Sequence, residues 1–84
     1  MKHVPQSAQK ALAEGNLKFA LARTAMFPRN IQCGRGIPAG IKAKAAVLEA
    51  DYDKAVEGGK AVTARQVQAL FLRLDSLLDE VYAC

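Results

Sequence analysis

From Val67 to Val81 the apolar positions Val67, Leu70, Leu74, Leu77 and Val81 recur three and four residues apart, and Phe71 and Leu78 widen them into a band. That spacing places one apolar face on a helix and polar residues on the other. Thr63 and Gln66 stand in a capping-box arrangement just upstream, with Val62 and Val67 where a hydrophobic staple would sit. A helix over about 63–83 is therefore expected as the anchor of the fold, with Leu74 and Leu77 at its buried centre. Its Asp75, Asp79 and Glu80 gather toward the C-terminal end. The macrodipole disfavours anions there by a few tenths of a kcal/mol, which leaves their placement to some other requirement.

Ile41, Ala45, Leu48, Tyr52 and Ala55 repeat at helical spacing between Pro38, suited to a helix start, and Gly58-Gly59, suited to a stop. They predict a helix over 38–57. Upstream, Ala8, Leu12, Gly15, Phe19, Ala22 and Met26 follow a 4-3-4-3-4 pattern between Pro5 and Pro28, predicting a long helix over 5–27. Leu17 and Leu21 fall on nearly the opposite face of that helix, while Gly15-Asn16 marks a place for a kink or break. Pro28, Asn30, Gly34, Gly36 and Pro38 make 27–38 a loop. The expected fold is a single all-α domain spanning 1–84, a three-helix bundle with a Gly/Pro-rich basic loop between helices one and two.

Glu14–Leu21 and Glu49–Val56 align at a period of 35, and each piece resembles part of a tetratricopeptide repeat. In that family a small residue, an aromatic and an alanine allow close helix packing. The resemblance implies a peptide-binding helical pair and covers about eight residues per copy. Pro28, Gly34, Gly36, Pro38 and Gly40 lie where the repeat needs a continuous second helix, and there the chain departs from the family pattern.

Composition sharpens this picture. Hydrophobic residues make up 51% of the chain, yet there are only three Phe, two Tyr and no Trp, so Ala, Leu, Val and Ile must build the core. A chain this short buries only roughly 60% of its unfolded surface, and so thin a core rarely supplies more than about 3–5 kcal/mol without a disulfide, a metal or a partner. The two cysteines, Cys33 and Cys84, have no metal-type spacing. No signal-peptide pattern opens the chain, which favours a reducing, cytoplasmic setting and two unpaired thiols, although one bridge between them is compatible with the sequence. No apolar run approaches the length of a membrane span, so no membrane association is expected.

The net charge of +4 is unevenly distributed: eight Lys and Arg stand against two Glu up to Ala50, and four against six acidic residues beyond it. The first half is thus suited to an anionic partner. Arg29, Arg35, Lys42 and Lys44 surround the Gly-rich loop, which resembles a phosphate cradle but lacks the P-loop signature and its preceding strand.

Catalytic material is sparse. The only histidine, His3, lies in the N-terminal tail, and Cys33, the one plausible nucleophile, has no fixed base beside it. No enzyme, metal site or cofactor is expected. The expected function is a small interaction protein, an adaptor or inhibitor that binds and modulates a larger protein with an acidic surface. The expected sites are the basic loop (Arg29, Arg35, Lys42, Lys44) and the apolar pair Leu17 and Leu21. That pair serves either a partner or a homodimer interface. The alternative is nucleic-acid binding, since phosphates suit the same cations and Thr63, Arg65, Gln66 and Gln68 open helix three much as a recognition helix does. The acidic second half of that helix argues against deep docking on DNA.

Overall fold

A computed structural model describes all 84 residues as an all-helical chain: α1 (Gln6–Ala13), α2 (Leu17–Thr24), α3 (Ala39–Gly58) and α4 (Ala64–Tyr82), with single 3-10 turns at Phe27–Arg29 and Gly59–Ala61. The single helix expected over 5–27 is two helices, and the bundle has four rather than three. Gly15 adopts φ +80°, the left-handed conformation that glycine reaches without steric cost. Its N–H donates to the Leu12 carbonyl at 3.1 Å, and the Asn16 N–H donates to the Ala11 carbonyl at 2.8 Å. This Schellman pair closes α1. Asn16 then opens α2, its side-chain oxygen accepting from the Phe19 N–H at 3.4 Å. Arg23 Nε donates to Ser7 Oγ at 3.2 Å, joining the end of α2 to the start of α1, so the two helices form an antiparallel hairpin.

The turn resets the rotational phase. The stripe expected from Ala8 to Met26 faces inward on α1, where Ala8 is buried and Leu12 packs on the core, but outward on and just beyond α2, where Phe19 is 47% and Met26 63% exposed. Ala20, Leu21 and Thr24 face inward instead. At the period of 35, Tyr52 falls opposite Leu17 and Phe19 opposite Lys54; Tyr52 is fully buried and Leu17 half-buried against the core.

α4 lies at the centre of the molecule. Val67, Phe71 and Leu74 are fully buried and Leu77 nearly so, in one core cluster with Ile41, Ala45, Leu48 and Tyr52 of α3 and with the alanines of the hairpin. The expected capping box is present: Thr63 Oγ1 accepts from the Gln66 N–H at 3.2 Å, and Gln66 Oε1 accepts from the Thr63 N–H at 2.8 Å. Val62 packs on the core beside it. Two buried hydroxyls sit in this core. Thr24 donates to the Ala20 carbonyl at 3.0 Å, whereas the Tyr52 hydroxyl has no hydrogen-bond partner. Burial pushes the Tyr52 phenol up to about 12, against the opposing influence of the nearby Thr24 hydroxyl and the Arg73 charge.

Residues 30–38 carry no helix and turn at Gly34-Arg35. Cys33 in this segment is disulfide-bonded to Cys84, with Cα atoms 6.0 Å apart, and no free cysteine remains. The expectation of two unpaired thiols is corrected: the fold brings the loop to the end of α4, and the thin core gains a covalent staple. No helix is long and apolar enough to cross a membrane.

Candidate functional site

The four cations of the basic loop are not gathered into one patch. Arg29 is gripped by two carboxylates one turn apart on α3: its Nε lies 2.9 Å from Glu49 Oε1 and its Nη2 3.0 Å from Asp53 Oδ1. Lys44 Nζ pairs instead with Glu80 Oε1 of α4 at 2.8 Å. Lys44 and Glu49 are five residues apart, about 140° around the helix, so these two pairs occupy different faces of α3. Arg35, in the turn, and Lys42, in the first turns of α3, are exposed and make no ion pair with the chain. Of the expected basic site, Arg35 and Lys42 offer unengaged charge, while Arg29 and Lys44 clamp the fold.

Asp75 and Asp79 of α4 meet the N-terminal segment of the chain. Asp75 Oδ1 accepts from the backbone N–H of His3 at 2.8 Å, and the His3 ring Nε2 lies 2.8 Å from Asp79 Oδ1. The His3 hydrogen bond holds the Asp79 carboxyl below the usual carboxylate range. The His3 ring also tilts against Tyr82, centroids 4.8 Å apart. The N-terminal segment is thereby strapped to α4, and Val4 is carried into the core. His3, placed in the N-terminal tail by the sequence, is docked on α4. Two pairs of carboxylates four residues apart, Glu49/Asp53 and Asp75/Asp79, act alike, each holding a group from a distant part of the chain. Their i, i+4 spacing was the signal for both anchors, since it sets two carboxylates on one helical face.

The apolar pair is corrected as well. Leu21 is 4% exposed and Leu17 is half-buried against the core, so the leucines expected to meet a partner or a second copy belong to the interior of their own chain. The exposed apolar ridge of α2 is the opposite one, formed by Phe19, Ala22 and Met26.

Between α3 and α4 runs an open groove of about 470 Å³, floored by Leu48 and Leu77 and edged by Val47. The Lys44–Glu80 and Arg73–Asp51 ion pairs bridge the same two helices, the latter at 2.7 Å. Their exposed charges fasten the helices to each other with little stability per pair.

Across the whole surface these pairings leave an unequal remainder. Of twelve Lys and Arg only Arg29, Lys44 and Arg73 meet a carboxylate, which leaves nine cations without a carboxylate partner. Of eight Asp and Glu only Glu14, Glu57 and Asp75 have no Lys, Arg or His side chain within ion-pairing distance. Neither a family model, nor a curated protein, nor a solved structure matches the chain.

Proposed function

We propose that this chain is a small non-enzymatic interaction protein that binds a larger protein with an acidic surface and modulates it, as an adaptor or inhibitor, by covering part of that surface. The observation that carries the reading is the unequal remainder of charge: the fold engages most of its own carboxylates and leaves nine cations without one. Such a surface attracts anionic partners and orients their approach. Arg35 and Lys42 contribute to it beside a loop held in place by the Cys33–Cys84 bond. The non-enzymatic part rests on where the candidate groups went. Cys33, the one plausible nucleophile, has no thiolate to offer in a disulfide, and His3 is engaged with Asp79 and Tyr82. The disulfide also favours an oxidising compartment over the cytoplasm for the working protein.

The test is capture of partners from an extract of the source cell by the immobilised, oxidised chain, with and without nuclease. A protein retained after nuclease treatment and lost from the Arg35→Glu, Lys42→Glu variant supports the reading. Loss of every partner with nuclease overturns it in favour of the nucleic-acid alternative, in which phosphates meet the same cations.

A further inference from the structure

α2 is apolar on two opposite sides, and only one of them is used by the fold. At 100° per residue, Leu17, Ala20, Leu21 and Thr24 cluster on the inward side, and Phe19, Ala22 and Met26 lie about 180° away from them. The outward three are spaced i, i+3 and i+7, the row that one helix presents to another, with a small residue between two large ones. Phe19 is 47% and Met26 63% exposed, and Met26 continues the helical backbone beyond Thr24 with φ −79° and ψ −20°. Lys18 and Arg23 flank the row about 70° to either side. Neither makes an ion pair, and the only side-chain hydrogen bond of Arg23 is the one from Nε to Ser7, so its other guanidinium nitrogens make none.

We infer that this ridge, Phe19–Ala22–Met26 between Lys18 and Arg23, docks an amphipathic helix of a partner protein whose apolar row is flanked by carboxylates. Complementary charge selects the partner: cations on both flanks match acidic residues at the positions that flank a helix–helix seam. The ridge is two turns long and one side chain wide. That shape fits the groove of a single helix and is too narrow for the broad apolar face with which a helix lies in a bilayer. Phe19 supplies the large rigid anchor, and Ala22 lets the partner backbone approach. The inference rests on the reading of the chain as a binder of acidic protein surfaces and names the face and the form of the occupant.

The probe is a synthetic three-heptad peptide with leucines at alternating three- and four-residue spacing flanked by glutamates, used below its self-association concentration. Its controls are the scrambled sequence, polyglutamate of equal length, a single-stranded oligonucleotide and vesicles of equal anionic charge. Amide chemical shifts of the oxidised chain report the site. The expected result is perturbation centred on residues 18–26, binding about tenfold or more tighter than the scrambled peptide, and a loss of about tenfold or more in the Phe19→Ser, Met26→Ser variant. Lys18→Ala with Arg23→Ala weakens binding and flattens its salt dependence. Equal binding of ordered and scrambled peptides, perturbation centred elsewhere, unaltered affinity in the ridge variant, or tighter binding to vesicles or oligonucleotide overturns the inference. Polyglutamate binding that the ridge variant leaves intact sinks the inference but spares the proposed function. Failure of the unmodified chain to bind any of the acidic polypeptides removes both.

Discussion

Cys33 and Cys84 are joined across 51 positions of sequence, so that an irregular loop and the last residue of the chain hold each other in place. Closing a loop of this length lowers the entropy of the unfolded chain by the equivalent of about 4 kcal/mol at room temperature, similar to what a core of this size supplies. Reduction, or Cys33→Ser with Cys84→Ser, is expected to lower the thermal midpoint by more than about 10 °C. Circular dichroism melts with and without a reducing agent check it. Superimposable melts would mean that the core holds the fold without the bond.

Leu74 is fully buried at the centre of α4. Leu74→Ala is expected to cost about 2–5 kcal/mol through lost burial and the cavity left behind. Denaturant unfolding of the oxidised protein measures this, and a cost within about 0.5 kcal/mol, the usual range for surface positions, would remove α4 from the centre of the core.

Tyr52 is fully buried with an unpartnered hydroxyl, and its phenol titrates near 12 rather than 10. The raised value means that the fold favours the protonated phenol. That contribution is intact below pH 10 and is lost as pH rises from 10 toward 12, by an amount on the order of 2 kcal/mol. Tyr52→Phe is expected to be neutral or stabilising by up to about 1–2 kcal/mol, since it removes an unsatisfied buried group. It also removes this part of the alkaline loss. Stability measured from pH 8 to 12 in both proteins tests it, and a large loss in the variant at neutral pH would reveal a hydrogen bond to the hydroxyl.

Asp79 titrates below the usual carboxylate range because His3 is hydrogen-bonded to it. A depressed carboxylate favours the fold above its ordinary titration range, and the contribution fades as pH falls through the lowered value. His3→Ala is expected to return Asp79 toward the ordinary range with little change in helix content, because Asp79 itself is largely exposed. Carboxyl carbon shifts followed against pH decide this. An unmoved Asp79 would show that the contact does not form in solution.

The helices that the chain marks with chemistry were legible: the capping box at Thr63 and Gln66, the stop at Gly58-Gly59, and the three–four repeat of α4. The hairpin was not, because the apolar spacing from Ala8 to Met26 runs through Gly15-Asn16 without a slip, and spacing carries no record of a left-handed φ. Once the chain turns there, phase counted from α1 assigns the wrong side of α2 to the core. The two rows of that helix are similarly apolar, so the pattern showed a two-faced helix and not which face was inward. The basic loop was misjudged for a different reason. Charge counted along the sequence treats Arg29 and Lys44 as available, whereas Glu49, Asp53 and Glu80 approach them only in the folded chain.

The central claim is that the unengaged positive surface recognises an acidic protein, and the most direct measurement is the affinity of the oxidised chain for its purified, nuclease-resistant partner as salt is raised. The account predicts that binding weakens steadily from about 0.05 to 0.5 M salt, and that Arg35→Glu with Lys42→Glu costs about tenfold or more at the low end and flattens the dependence. An affinity that is constant across salt and untouched by the double variant would contradict it.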